Sequence, residues 1–376
     1  MGLLKRKLTA YYLSPMRKTR LRVRAEKMRQ RTGAPHLVEY FHQADDPYSV
    51  LAALVLPALQ ERYDIQIKAW SVPPPDTENA PMADALAAYA RKDAELLAAQ
   101  TGLTWPLADT HTDLPDGQSR RAALGHYQGA MFFYGGEWYW GLDRLHYLEA
   151  RLTQLGALKD GATGPIYQPP TTPVSSGNTG AELHWYLSFR SPYTAIVRDR
   201  VKTLADTYGA ELKLRFVLPM VMRGLPVPPN KKKYIPFDTA REARRLGVPF
   251  GRIMDPVGRP VELGYSLLPW AREQGRGYDF ANAFLSCVWS EGVDAGSQVG
   301  LQKIVERAGL NWGEAKDIVG NDNWRAEAEA NRVEMMERGI WGVPSFRVGE
   351  TITWGQDRLW VIEHALQKQI KSYGES

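Results

Sequence analysis

The chain has 376 residues, 44% hydrophobic and 24% charged, with 47 Lys and Arg against 42 Asp and Glu for a formal charge of +5. That length allows two separate cores, and the composition is that of an ordinary soluble globular protein. A single cysteine, Cys287, excludes an intramolecular disulfide, a Cys-x-x-Cys redox pair and a cysteine-ligated structural zinc, and it points to a reducing, cytoplasmic setting.

Charge is unevenly spread. Residues 1–31 hold eleven Lys or Arg against Glu26 alone, so this arm is +10 and the remainder −5. Leu3, Leu4, Leu8, Tyr11 and Tyr12 fall on one face of a short basic amphipathic helix, which suits an anionic membrane surface or an acidic partner and a membrane-peripheral placement. A solvated or packed extension is the other reading. The arm has no recognisable module for reading nucleic acid. Its longest apolar stretch, residues 9–13, is shorter than a signal-peptide core, and no stretch has the length of a membrane span.

After the arm (1–32), residues 37–41 read as a strand, 47–63 as a helix interrupted or bent near Pro57, and 65–70 as a second strand. An Ala- and Leu-rich helix covers 83–100, a hairpin turns on Gly135-Gly136-Glu137 between 131–134 and 138–140, and a helix over 143–155 closes a first domain, 33–157. A Pro-, Gly-, Ser- and Thr-rich linker, 158–181, follows. The last domain, 182–376, opens on a strand over 183–189 with alternating Leu183, Trp185, Leu187 and Phe189, and Leu212, Leu214 and Phe216 repeat that alternation. Residues 238–338 are helical by pattern, with stops at Gly247, Gly275, Gly309, Gly320 and Gly339. A hairpin (345–348 and 351–354) and a helix from Asp357 end the chain. The right-handed crossover rule places the first two strands of each domain parallel.

The two domains repeat one another. At an offset of 145, residues 36–74 align without a gap onto 181–219, matching Pro47 with Pro192, Tyr48 with Tyr193, Leu59 with Leu204, Tyr63 with Tyr208 and Pro74 with Pro219. At an offset of 214, Trp140-Gly141-Leu142-Asp143-Arg144-Leu145 aligns onto Trp354-Gly355-Gln356-Asp357-Arg358-Leu359, so the second domain carries 69 more residues between its shared ends. Two copies at so long a period signal a duplicated domain, not a solenoid.

Ser191 before Pro192 is a helix start, Ser as N-cap and Pro at the first helical position. That geometry also sets orphan backbone N–H groups and the positive end of a helix dipole beside a hydroxyl, where a thiolate would be stabilised. Cys287, in the apolar run Phe284-Leu285-Ser286-Cys287-Val288-Trp289, is expected to be a buried, inert thiol. The seven histidines (36, 42, 111, 126, 146, 184, 364) show no ligand spacing, so no metal site is predicted.

Five segments in order, Ser191-Pro192-Tyr193, residues 231–234, Val288-Trp289-Ser290-Glu291-Gly292, residues 339–346 with Gly342-Val343-Pro344, and Trp354-Gly355-Gln356-Asp357-Arg358, make residues 182–370 resemble the kappa-class glutathione transferase and 2-hydroxychromene-2-carboxylate isomerase family. The resemblance implies an α/β chain of two thioredoxin-like (DsbA-like) domains, the second with a large helical insertion. It implies glutathione as cosubstrate or cofactor, its thiolate stabilised by Ser191, in an isomerase or transferase acting on an unsaturated aromatic or carbonyl small molecule. A thioredoxin-fold binding or scaffold protein without dithiol redox activity is the alternative.

By the same resemblance, Val343 and the cis-Pro344 turn pair with the glutathione backbone, Gln356 and Asp357 take its γ-glutamyl end, and Asn230 and Lys231 lie near its glycyl carboxylate. Tyr193, Trp289 and Trp341 wall the acceptor pocket. Each residue also has a plain structural reading: a strand-entry turn at Val343-Pro344, a helix cap at Asp357 (its match Asp143 persists in the first domain), a solvated run at Lys231-Lys232-Lys233, and core aromatics. The first domain has Asp46 in place of Ser191 and Ala130 in place of Pro344, so it reads as a degenerate copy. Relatives of the family pair as dimers, which implies either a monomer with pseudo-dimeric halves or a homodimer.

Overall fold

The computed structural model describes residues 2–373 except 104, 106–108, 110, 112 and 174, with backbone alone described for 2–6 and 371–373. The chain forms two compact units: Pro15–Pro169 with Val227–Lys231, and Met1–Ser14 with Pro170–Pro226 and Lys232–Ser376. The basic arm is two helices, α1 (Gly2–Tyr12) and α2 (Pro15–Thr32), the first belonging to the C-terminal unit and the second to the N-terminal unit. Leu3 and Leu4 of the predicted apolar face lie outside the described side chains; Leu8, Tyr11 and Tyr12 are exposed.

The N-terminal unit runs β1 (Leu37–His42), α3 (Pro47–Leu54), α4 (Leu56–Arg62), β2 (Gln66–Ser71), α5 (Ala83–Gln100), α6 (Gln118–Ala123), β3 (Met131–Tyr134), β4 (Glu137–Trp140) and α7 (Leu145–Gln154). The predicted 47–63 helix is broken at Val55. Pro57 has no N–H to return to Ala53, so a new helix starts with Pro57 in its first turn. The C-terminal unit has Lys202 at the matching place.

That unit runs β5 (Glu182–Leu187), an unbroken α8 (Pro192–Thr207), β6 (Glu211–Phe216), α9 (Pro229–Arg245, whose residues up to Lys231 fall in the N-terminal unit), α10 (Arg259–Glu273), α11 (Gly277–Ser286), α12 (Gln298–Arg307), α13 (Trp312–Ile318), α14 (Trp324–Glu337), β7 (Ser345–Val348), β8 (Thr351–Trp354) and α15 (Leu359–Tyr373). The helices α10–α14 account for the longer spacing of its shared ends.

Both units hold a four-stranded mixed sheet of one topology, β2-β1-β3-β4 and β6-β5-β7-β8. Even the register is shared. Leu37 faces Gln66 in the first parallel pair and Glu182 faces Glu211 in the second, while Tyr40 opposes Phe132 as Trp185 opposes Phe346. These pairs fall at the two sequence offsets, 145 for β1 and β2 and 214 for β3. A slip of one residue would exchange the buried and exposed faces of a strand, so an equal register means that the same faces are buried in both sheets.

The C-terminal core joins the sheet to the inserted helices through aromatic rings. Phe189 stacks on Phe284 at 4.1 Å and 14° and lies 4.9 Å from Tyr265. Gly264 permits this approach, since a Cβ there would stand 2.5 Å from Phe284 and 2.9 Å from Phe189. The N-terminal core is built on Tyr40, Phe132, Tyr139, Leu145 and Leu148, all fully buried.

Glu149 in the N-terminal unit is a buried carboxyl with no cation bonded to it among the described residues. Glu149 on α7 accepts the Ile166 N–H on both oxygens at 3.0 Å, and burial pushes its pKa up to about 7 against the pull of that bond and of Arg62. A group whose folded pKa lies above its unfolded value near 4.3 favours the fold fully at low pH and withdraws that support as pH rises to the folded pKa. The stability of the N-terminal unit against urea should therefore fall between about pH 4.5 and 7, by about 3–4 kcal/mol, and level off above. Glu149→Gln should flatten that slope, and a titration of urea midpoints against pH for both proteins measures it.

Candidate functional site at the start of helix α8

The C-terminal unit's first crossover turn is held from several sides. β5 ends at Leu187, two residues before the predicted end, and Ser188 to Ser191 make the turn, closed by Ser191 N–H donating to Ser188 O at 2.9 Å. Tyr265 accepts the Phe189 N–H (3.3 Å) and donates to Val217 O (2.8 Å); the Trp289 indole N–H donates to Phe189 O (3.0 Å). Arg190 forms a two-bond pair with Asp255, both at 2.9 Å.

Ser191 caps α8 with φ −90° and ψ 117°. Its Oγ accepts the Thr194 N–H at 3.2 Å and donates to Val343 O at 3.3 Å. The Val343–Pro344 peptide is cis. Gly342 before it lies against Trp354, where any Cβ would stand 2.4 Å from the indole, and Gly355 N–H donates to Pro344 O at 2.9 Å. Ser191, Val343 and Pro344 are thus brought together by two close approaches, helix start and strand entry. A 3.3 Å hydroxyl bond is longer than the usual O–H···O range of about 2.5–3.0 Å, so it is weak and cheap to exchange.

A second polar group joins α8, α9 and the turn before α15. Arg200 donates to the side-chain oxygen (2.8 Å) and backbone oxygen (3.1 Å) of buried Gln356. The Gln356 amide donates to Glu242 (3.0 Å) and to Asp357, and Arg245 also pairs with Glu242 at 2.9 Å. Burial lowers the Arg200 pKa, and the charges of Asp357 and Glu242 oppose that shift. Gln356 therefore spends its side chain inside the protein, where it orients half-buried Asp357.

The remaining predicted residues take definite places. Tyr193 donates its hydroxyl to buried Asp238 at 2.8 Å, and Arg241 also donates to Asp238 at 2.6 Å. Trp289 is buried in a π-helical turn (Cys287–Glu291), a form that recurs at functional sites, with Phe250 stacked on it at 5.9 Å and 8°. Trp341 is buried against Trp354 at 5.1 Å, and its indole N–H has no partner among the described residues. Asn230 and Lys231 fall in the N-terminal unit, where the ammonium donates to Asn79 O at 3.0 Å and burial lowers its pKa. Cys287 is buried and burial raises its thiol pKa, so it stays protonated.

The matching turn of the N-terminal unit is satisfied from within. Asp46 caps α3 by accepting the Ser49 N–H (3.0 Å) and hydroxyl (2.7 Å), and the Ser49 oxygen in turn accepts the N–H groups of Gln43 (3.1 Å) and Ala130 (2.8 Å). Burial raises the Asp46 carboxyl despite those bonds. In the C-terminal unit Thr194 replaces Ser49 and Pro344 replaces Ala130. Proline has no N–H to give, and the buried Thr194 hydroxyl has no partner among the described residues.

Sequence reasoning missed Asp238, Arg200, Glu242 and Arg245, although the repeat contained the signal. Carried further, the offset of 145 matches Tyr89 with Tyr234, Asp93 with Asp238 and Gly102 with Gly247. Tyr48 donates to Asp93 at 2.8 Å as Tyr193 does to Asp238. The same offsets set Val55, Leu97 and Leu142 against Arg200, Glu242 and Gln356, so these three polar positions of one unit are apolar in the other.

The DsbA-like thioredoxin domain family matches residues 182–367. The chain is 22% identical over 192 residues to the 2-hydroxychromene-2-carboxylate isomerase of Pseudomonas putida, covering 49% of this chain and 93% of that protein. It is 26% identical over 196 residues to the protein of that name from Sphingobium xenophagum, covering 49% and 97%. Among solved structures, a 2-hydroxychromene-2-carboxylate isomerase aligns at 21% identity and a TM-score of 0.44, over 51% of this chain and 98% of that one. The cytosolic disulfide reductase DsbM of Pseudomonas aeruginosa, solved with GSH, aligns at 18% and 0.39, over 50% and 99%.

The two hydroxyls should respond oppositely to removal. Thr194→Val exchanges a buried, unbonded hydroxyl for a methyl and should leave the thermal midpoint unchanged or higher. Ser49→Ala strands two backbone N–H groups and should cost about 1–3 kcal/mol. Thermal unfolding of both variants, followed by circular dichroism, checks the contrast.

Proposed function

Residues 182–367 are a DsbA-like thioredoxin domain, and from that premise we propose that the C-terminal unit is a glutathione-dependent isomerase or transferase acting on an unsaturated aromatic or carbonyl compound. The observation that carries this reading is the meeting of the Ser191 hydroxyl, at the N-terminal end of a 16-residue helix, with the backbone of Val343 before Pro344. A thiol site is needed for a thiol the chain does not supply, because Cys287 is buried. Relatives named as isomerases agree with the reaction class.

The available groups fit such a ligand. The Ser191 hydroxyl turns from Val343 O to a sulfur anion, and the positive end of α8 lowers the thiol pKa from its ordinary value near 8.5. The Val343 carbonyl, released by that turn, accepts from an extended peptide lying beside β7. Asp357, held by Gln356 and through it by Arg200, receives an ammonium. When bound, glutathione supplies a thiolate that adds to an electrophilic carbon and is either expelled after rotation about the bond made single or retained in a thioether. Arg190, fixed by Asp255, and Trp289, fixed to Phe189 O, keep the turn rigid throughout.

The N-terminal unit is then a copy that has given up this chemistry. Asp46 sets a carboxyl where the thiolate would lie, and Ser49, Ala130 and Gln43 satisfy one another at the helix start. One observation favours a binding protein without turnover in the C-terminal unit too: Ser191 and Gln356 already have their bonds made inside the chain.

Calorimetry with glutathione separates these readings. The wild type should bind, and the ultraviolet thiolate band of bound glutathione should titrate below the free thiol. Ser191→Ala should return that titration toward the free value and lower turnover by about 10²–10³-fold. Ser191→Asp keeps a helix cap, so it should keep the thermal midpoint while abolishing binding. Equal glutathione binding by wild type and Ser191→Asp would end the proposal.

A further inference from the structure

Helix α2 carries eight Lys or Arg and one acid in its 18 residues, and they sort onto two faces. Lys18 (3.0 Å) and Arg22 (2.5 and 3.0 Å) grip Glu137 of the N-terminal unit, while Arg29 pairs with Glu26 (2.7 and 3.0 Å) and donates to Ala34 O (2.8 Å). Burial would raise the Glu137 carboxyl, yet the Arg22 bonds and the charges of Lys18, Arg22 and Arg151 draw its pKa down to about 2. The anchor is therefore ionised at any ordinary pH, and the helix is fixed in one rotation about its axis.

The other face presents Arg17, Arg20, Arg24, Lys27 and Arg31, at alternating spacings of three and four, in one row about 21 Å long. Arg20, Arg24, Lys27 and Arg31 are exposed, with Arg17 half-buried at the start of the row. Like charges three and four apart weaken a helix, so this row opposes the stability of the element that carries it. Leu21 and Met28, 46% and 53% exposed, stand on the same face, each four residues after an arginine of the row.

We propose that this face of α2 is a docking surface for an anionic lipid bilayer, the cations meeting headgroup phosphates and carboxylates while Leu21 and Met28 enter the boundary with the acyl chains. A nucleic-acid backbone would take up the charge but leave both apolar side chains in water; a lipid interface uses both features. The Glu137 anchor gives the surface its purpose-built character, because it aims the cationic row outward without a folding step on binding.

Sedimentation of the full chain with sucrose-loaded vesicles tests this. Binding to phosphatidylcholine vesicles containing about 30% phosphatidylserine should exceed binding to phosphatidylcholine alone by at least about tenfold, and should weaken as salt rises from about 0.1 to 0.5 M. Each cation adds roughly fivefold near such a surface. The variant Arg17→Gln/Arg20→Gln/Arg24→Gln/Lys27→Gln/Arg31→Gln should therefore lose more than about a hundredfold, with the Glu137 anchor intact and far-ultraviolet circular dichroism unchanged. If that variant loses helicity, Arg24→Gln/Lys27→Gln reads the same effect at about 25-fold. Leu21→Ser/Met28→Ser should weaken vesicle binding at unchanged charge. Equal binding to both vesicle types, or no effect of the charge variants, overturns the proposal. So does tighter binding to a duplex oligonucleotide that Leu21→Ser/Met28→Ser leaves unchanged, which reassigns the face to nucleic acid.

Discussion

A helix must leave its first amide groups without partners in its own turns, and something must answer them. In the C-terminal unit the answer is a serine hydroxyl that also reaches the carbonyl before Pro344. In the N-terminal unit it is a carboxylate tied to Ser49, which itself receives the Ala130 amide. Everything that distinguishes the units at this end of the sheet follows from that choice. A carboxylate closes the position with charge and a network of short bonds, whereas a hydroxyl leaves a single long bond that a better acceptor can replace.

The surroundings obey the same division. Burying Glu242 and partly burying Arg200 around Gln356 costs desolvation that Leu97, Val55 and Leu142 avoid in the other unit, and a buried ionic group is weak evidence for stability. Its presence on one side only is better understood through what it orients, the half-buried carboxylate of Asp357 at the helix start beside the sheet. The two units share their sheet order and register and differ in the side chains gathered at the turn before the closing helix.

Much of the fold was legible because strand alternation and the two offsets are properties of local sequence. The 69-residue difference located α10–α14, and Pro47 and Pro192 located the crossover helices. The break at Val55 was marked by Pro57, since a missing N–H acts two or three residues before the proline itself. What escaped was long-range pairing. Arg200 reads as one more helix charge until Gln356, 156 positions later, is seen to receive it. Lys231 reads as a site cation until its ammonium is seen on Asn79 O. Tyr193 and Trp289 were legible as large aromatics near the turn, but periodicity could not tell that one is held by Asp238 and the other by Phe189 O. The split of the basic arm between the two units was illegible for the same reason: its anchors, Glu137 for α2 and Arg244 donating to Leu13 O beyond α1, lie far along the chain.

The tyrosine–aspartate brace, Tyr48 to Asp93 and Tyr193 to Asp238, occurs in both units, so it cannot be what sets the Ser191 turn of one apart from the Asp46 turn of the other. It fastens α5 to α3 in one unit and α9 to α8 in the other. An inactive Asp238 variant would accordingly report a helix come loose from its neighbour, and the damage done by the same replacement at Asp93 is the measure against which any such loss has to be weighed before it is ascribed to chemistry.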